Sequence, residues 1–443
     1  MVEDGSRLAM VMLNFVSVFL SLFRNLEMRE RRVSKRNFEM LVDQWNAAVA
    51  AGDSTRVSAL IESSTSELID ELKRAADEAD EQENVSRTLL MNACATGCLR
   101  AVAFLLDECD MQNAWNKLDA DGRCAGELIP PEHADRDQIE ELLVNAACRT
   151  ELLLGAIFDH ADYGHTNDDV DDDDNVDVDD DDDDDGKKKA KLSDAADDGV
   201  DSVQVVVKPP NVVAREKFLS TPLRYETGKD GLRLMTGATA TSDGELNDAV
   251  MMTWETDIMQ MHVDRFLAHG CKTVLNVGFG CGIIDGQLEK LSDDEMEQHF
   301  IIEAHPDVLA HMRANGWFEK PRVTVLEGTW QTQLPVLMER GVTFDCVFFD
   351  TFETLEDMRE FHDLLVNVLA PDGLYSFFNG LCGTNAFFHR VACALAQIQL
   401  SDMGFATFYE SIDLAPLQTD IFEGCKRQYF NLSKYNLPHV TFQ

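Results

Sequence analysis

The chain has 443 residues, with 38 Lys and Arg against 81 Asp and Glu, a formal charge of −43. That length implies two or three domains, and an apolar fraction of 45% is enough for a sizeable core. Such acidity argues against a nucleic-acid binder, which needs clustered Lys and Arg to neutralise phosphate, and favours cationic partners.

Residues 1–39 stand apart as an apolar and basic extension. Leu8–Phe23 is apolar except for Asn14, Ser17 and Ser21. A secretory signal wants a basic start and a small-residue cleavage site, whereas Glu3 and Asp4 precede this run and Arg24 follows it. The run also falls short of the roughly 20 residues that span a bilayer. A peripheral amphipathic helix or an ill-defined start codon is the expectation, not membrane contact.

Residues 40–158 read as helices with internal repetition. Ala47–Asp53 leads to Val57 and Leu60-Ile61; Asn92–Cys98, offset by 45, leads to Val102 and Leu105-Leu106. A third aliphatic pair, Leu142-Leu143, follows 37 residues after the second. A helix, a Gly turn and a second helix ending in paired aliphatics is how an ankyrin-type unit stacks. Thr88–Ala93 is a degraded form of the ankyrin T-P-L-H-x-A opening, and Asn116–Gly122 reads as a turn between units. The spacings exceed the usual period, so Ser63–Asn84 is taken as an insertion. An all-α ankyrin-like domain is expected here, with an unrelated helical bundle as the alternative; such repeats present a binding face.

Residues 159–210 read as an acidic, disordered linker. Asp168–Asp185 holds 14 aspartates and no basic residue, and such a run repels itself and buries nothing. Lys187-Lys188-Lys189 and Lys191 read as counter-charge in preference to a nuclear-import signal. The chain's eleven cysteines include no CxxC and no Cys/His spacing of a zinc site, so reduced thiols in the cytosol or nucleus are expected and no metal site is read.

Residues 211–443 alternate strands with helices. Thr273–Val277, Phe300–Ile302, Val323–Leu326, Phe344–Phe349 and Leu374–Phe378 are short β-branched and aliphatic runs suited to buried strands, which implies a doubly wound α/β sheet. The first runs into Gly278-Phe279-Gly280-Cys281-Gly282, and Ile283-Ile284 opens a helix. Closely spaced glycines let backbone amides approach a ligand at a helix amino terminus. Glu303 stands 21 residues beyond Gly282, where an acid can hold both hydroxyls of a ribose. The spacing is G-x-G-x-G, not the G-x-G-x-x-G of dinucleotide enzymes, and with a downstream acid it is the variant S-adenosylmethionine methyltransferases use. A tight structural turn would also explain a Gly loop by itself. Asp350 and Asn379 fall at carboxyl ends of strands, where ligands of such sheets sit.

These motifs carry a resemblance. Val250–Met259, Val277–Asp285, Ile301–Pro306, Glu327–Gln331, Phe349–Phe352 and Ser376–Gly380 together resemble the fungal-type protein arginine methyltransferase 2 family, which methylates the delta nitrogen of arginine in proteins. The likeness covers nearly all of 211–443 and extends to Ala114–Asn116 and Leu142–Ala146. The catalytic motifs, without ankyrins, also resemble guanidinoacetate methyltransferase. The resemblance implies a Rossmann-like, seven-stranded methyltransferase domain with S-adenosylmethionine as cofactor. It places Phe279, Gly280, Cys281, Gly282, Ile283 and Ile284 around the methionine part, Glu303 on the ribose, and Ala304 and His305 beside the nucleoside. Thr329 and Trp330 would bound the adenine, and Met251 and Met259 would line the sulfonium and substrate side. Tyr225 is a further cofactor contact. Glu255 and Asp350 would hold the guanidinium, with Asn379 positioning substrate. Cys281 stands where relatives often carry Met.

The chemistry of a guanidinium fits that pair. It is planar, cationic and rich in donors, so carboxylates take it in a bidentate fork. It must lose a proton around transfer although its resting pKa exceeds about 12. Asp350 is the candidate acceptor and Glu255 the clamp. Plainer readings remain for several residues: Met251, Met252 and Met259 at helical spacing suit core filler, and Trp330 a core position. The expected partner is a basic protein, such as a ribosomal protein, docked by the ankyrin-like surface of a monomer. Action on a small guanidino compound is the alternative enzyme, and a non-catalytic ankyrin scaffold is the alternative class.

Overall fold

The computed structural model describes residues 40–80, 87–163, 210–237, 247–351, 355–417 and 420–443. The apolar run at 8–23, the aspartate tract and the lysines after it lie outside these. The chain forms two compact units. One contains the amino-terminal part to Leu154 together with Gly380–Ile398 and Tyr429–Leu432; the other contains Gly155–Asn379, Gln399–Gln428 and Ser433–Gln443.

Among the described residues the amino-terminal part of the first unit contains helices, turns and loops and no strand. Helix α1 covers 40–50, followed by α2 (Ser54–Asp80), α3 (Leu89–Ala95), α4 (Leu99–Asp107) and α5 (Arg136–Tyr163). The two repeated Gly positions, Gly52 and Gly97, fall at the α1–α2 and α3–α4 turns. The stretch read as an insertion from Ser63 does not interrupt the helix; it lengthens α2 through to Asp80. Thr88 starts α3: its Oγ1 accepts from the Met91 N–H at 3.1 Å, while the Thr88 N–H donates to the Met91 sulfur at 3.4 Å. Trp45, fully buried, packs on Phe104 at 5.6 Å. Residues from the carboxyl-terminal half complete this core, for Phe388 meets Trp115 edge-on at 5.5 Å and Arg390 pairs with Glu140.

The second unit is built on a seven-stranded sheet. Its strands are β4 (Thr273–Val277), β5 (Gln298–Glu303), β6 (Val323–Glu327), β7 (Phe344–Phe349), β8 (Leu369–Phe377), β9 (Phe405–Asp413) and β10 (Lys434–Phe442), in the order β6-β5-β4-β7-β8-β10-β9. Strands β6 to β8 run parallel and β10 lies antiparallel between β8 and β9. The order reverses between β4 and β7, and a crevice opens at the carboxyl ends of strands at such a reversal. The helices of this unit are α6 (Pro210–Ser220), α7 (Thr256–His269), α8 (Ile283–Leu288), α9 (Pro306–Ala314), α10 (Trp330–Glu339) and α11 (Leu355–Leu365), with the end of α12 (Ala386–Asp402). A separate antiparallel sheet of β1 (Leu223–Thr227), β2 (Leu232–Thr236) and β3 (Ala249–Met252) precedes them.

The fifth expected strand begins earlier than Leu374: Pro371-Asp372-Gly373 lies inside β8. The register against β7 slips there, from Phe344 opposite Leu369 to Cys346 opposite Leu374, so the unpairable proline sits in an irregularity. Cys271 and Cys346, expected as free thiols, are brought side by side where β4 and β7 are neighbours; their Cα atoms are 5.6 Å apart.

Candidate active site

The glycine loop follows β4 and is shaped by contact on both sides. Gly278 has φ +96°, and a Cβ there would stand 2.0 Å from the carbonyl oxygen of Asp350, so only glycine lets the ends of β4 and β7 approach. The Gly278 N–H donates to Ile302 O and the Asp350 N–H to Val277 O, both at 2.9 Å. Gly280 has φ +54°, and a Cβ there would lie 2.5 Å from the Met251 sulfur.

Several expected site residues act on this loop from outside it. Tyr225 donates from its hydroxyl to Gly280 O at 2.7 Å, and its ring stacks on His311 at 3.7 Å. The sulfur of Met251 accepts from the Cys281 N–H at 3.1 Å. The Phe279 side chain turns into the core against Trp317, 5.0 Å away, while its N–H donates to Glu303 Oε2 at 2.9 Å. Gly282 is the amino-terminal cap of α8. Ile284 is buried in the apolar core, Ile283 packs at its edge, and Met259 on α7 is wholly buried in the same cluster.

Glu303 ends β5 with its carboxylate held open. Oε1 accepts from the Ala304 and His305 N–H groups at 2.8 and 2.6 Å. Burial raises its proton affinity, although the three amides favour the charged form. Each carboxylate oxygen carries two lone pairs, so Oε1 is filled and Oε2, which accepts only the Phe279 amide, keeps one for a hydroxyl.

A cavity gathers Gly278, Gly280, Glu303, Ala304, His305, Thr329, Trp330 and Asp350. The structure therefore brings together the loop backbone, the acid after β5, the residues after β6 and the acid after β7. Tyr225, Met251, Phe279, Cys281, Gly282, Ile283 and Ile284 support the loop without lining that cavity. The sequence reading missed Arg215, Phe218 and Leu219 of α6, which also line it. Their spacing of three and four residues puts them on one helix face but does not say what that face covers.

Of the two acids assigned to the guanidinium, Asp350 lines the cavity and Glu255 does not. Glu255 is 2% exposed and accepts the Met252 N–H on Oε1 at 3.0 Å, closing the turn before α7. Asp350, at the end of β7, has its pKa raised to about 7 by burial and by the charge of Asp285. Cys281 registers both acids: burial pushes its thiol up, and the negative charges of Glu255, Asp350 and Asp230 push it further. Asn379 is fully buried; its N–H donates to the Tyr435 hydroxyl at 2.8 Å and its Nδ2 to Asn436 O at 2.9 Å, so β10 braces it.

These residues suit S-adenosylmethionine. Apolar walls with Trp330 offer a place for a nucleoside, and the remaining acceptor site of Glu303 a place for a ribose hydroxyl. Asp350 supplies negative charge for a sulfonium. Fold and site together define an S-adenosylmethionine-dependent methyltransferase.

Comparison with known proteins narrows the class. The guanidinoacetate N-methyltransferase family model matches residues 234–381. Protein arginine N-methyltransferase 2 of Eremothecium gossypii is 35% identical over 74% of this chain and 77% of its own length. The protein of the same name from Candida glabrata is 31% identical over 84% of this chain and 88% of its own. That from Saccharomyces cerevisiae is 32% identical over 74% of each. The chain belongs to the protein arginine N-methyltransferase 2 family. Among solved structures, the O-methyltransferase TomG from Streptomyces achromogenes aligns over 43% of this chain and 81% of its own, with 15% identity and a TM-score of 0.31.

Proposed function

We propose that the protein transfers a methyl group from S-adenosylmethionine to the delta nitrogen of an arginine in a basic protein. The observation that carries this reading is that Asp350 lines the cavity beside the glycine loop while both it and buried Glu255 place negative charge on Cys281 of that loop. The cofactor supplies a methyl group on positively charged sulfur, which is intrinsically reactive. The protein's work is then to align the nitrogen with it, an orientation effect that can supply roughly 7–11 kcal/mol. Glu255 and Asp350 grip the two terminal nitrogens and leave the internal one facing the methyl group. The raised proton affinity of Asp350 suits its carboxylate to accept the proton the guanidinium releases. Asn379 and Met259 support the substrate side from behind. The repeated helix–Gly–helix pairs of the amino-terminal unit serve as an ankyrin-like docking face for the substrate protein.

The test is to incubate the purified protein with labelled cofactor and arginine-rich protein fractions, ribosomal proteins among them, and to fragment the labelled residue by mass spectrometry. Label on the internal nitrogen of protein arginine is expected. Label on free guanidinoacetate alone would replace this reading with the small-molecule one. Asp350→Asn should lower kcat by about 100-fold or more while leaving cofactor binding measurable.

A further inference from the structure

Asp285, in the first turn of α8, is a carboxylate side chain with no exposed surface, and it is not among the groups assigned to cofactor or substrate. Its Oδ1 accepts from Asn276 Nδ2 at 2.8 Å and lies 3.0 Å from His299 Nε2. Asn276 Nδ2 also donates to Gly278 O at 2.8 Å. Gly278 in turn abuts the Asp350 backbone, where no Cβ would fit. A continuous path therefore runs from His299 through Asp285 and Asn276 to the glycine loop and the end of β7. His299, likewise without exposed surface, has Glu289 on its other side, 3.5 Å from Nδ1, and Lys320 and Arg322 flank that glutamate at 3.7 and 3.9 Å. Burying a charge is costly unless partners compensate, so a network like this needs a reason to persist.

We propose that the buried Asp285–His299 pair is a positioning unit for methyl transfer, which holds the glycine loop through Asn276 and sets the electrostatic field at Asp350. The inference rests on Asp350 being the proton acceptor. The charge of Asp285 acts with burial to raise the proton affinity of Asp350. Burial opposes charging His299, yet Asp285 and Glu289 outweigh it and raise its pKa. The imidazolium thus partly neutralises Asp285 and limits how far Asp350 is pushed.

The pH dependence of kcat/KM, measured with labelled cofactor and an arginine-bearing protein, separates this from a purely structural role. Asp285→Asn keeps the acceptor for Asn276 but removes the charge. It should move the acidic limb down by about one pH unit, with the cofactor Kd from calorimetry within about threefold of wild type. Asp285→Ala loses the acceptor as well and should weaken cofactor binding by about tenfold. His299→Gln removes the compensating cation and should move the limb up, opposite to Asp285→Asn; it also keeps the test open if an Asp285 variant does not fold. An unmoved limb in both charge variants, or shifts of the same sign, overturns the proposal. A wild-type profile with no acidic limb instead removes Asp350 as acceptor, and this inference with it.

Discussion

The acceptor role proposed for Asp350 sets two opposed demands. To accept a proton near neutral pH it must sit where its charge is disfavoured, and that costs folded-state stability. Its pKa of about 7 lies above the ordinary 3.8, so the folded state binds its proton more tightly than the unfolded chain does. The stability it contributes is full below about pH 4 and is lost as pH rises through about 7. Asp350→Asn should therefore unfold at higher denaturant than wild type at pH 8, by about 2–4 kcal/mol, with the gap closing toward pH 4. A gap independent of pH would mean that the carboxylate is not destabilised in place. At this scale the sequence was informative wherever a residue type follows a strand end: Gly278, Glu303 and Asp350 all lie where the motif order put them. It was less informative for Met259 and Ile284, because helical spacing is the same for a core residue and a ligand contact, and both are buried in the core.

At the scale of elements, the five expected strands are present because their β-branched and aliphatic runs suit the buried centre of a parallel sheet. Strands β9 and β10 and the small β1–β3 sheet escaped the reading. β9 is an edge strand with exposed and half-buried positions, including Phe408, which leaves a weaker apolar signature. Helix α6 escaped as a cavity wall because its role depends on long-range ties. Asn211 Nδ2 donates to Asp357 Oδ1 at 3.2 Å and to Glu360 Oε1 at 3.0 Å, and Arg215 Nη1 donates to Asp357 Oδ1 at 3.0 Å. Asp357, 1% exposed on α11, thus anchors the helix that carries Arg215, Phe218 and Leu219 to the cavity. Asp357→Ala removes one partner of a largely buried pair and should cost about 2 kcal/mol of stability. Cofactor affinity should fall with it, measurable by calorimetry, whereas full affinity in the variant would show that α6 keeps its place without the tie.

For the whole molecule, the division into a helical unit and an α/β unit followed from where hydrophobic spacing changes, on either side of an aspartate tract that cannot form a core. What the sequence could not show was that residues near 380–398 and 429–432, inside the α/β half of the chain, cluster with the helical unit. Trp115, Phe387 and Phe388 meet across more than 270 residues of chain, a pairing with no local signature.

The formal charge of −43 bears on how a cationic substrate arrives. A single-sign field concentrates opposite charge near the surface and speeds encounter, and it does so without touching the reacting atoms. Raising salt from about 0.1 M to about 1 M shortens the screening length from about 10 Å to about 3 Å, less than the reach of a docking surface but comparable to the contacts inside the site. The KM for a basic protein should then rise by about tenfold over that range while kcat stays level. A small guanidino compound, carrying one cationic group, should show a much weaker dependence. Steady-state kinetics on both substrates at matched ionic strengths distinguish the cases. Equal salt sensitivity would place the electrostatic work in the Glu255–Asp350 grip, and none in either would leave the charge a matter of solubility.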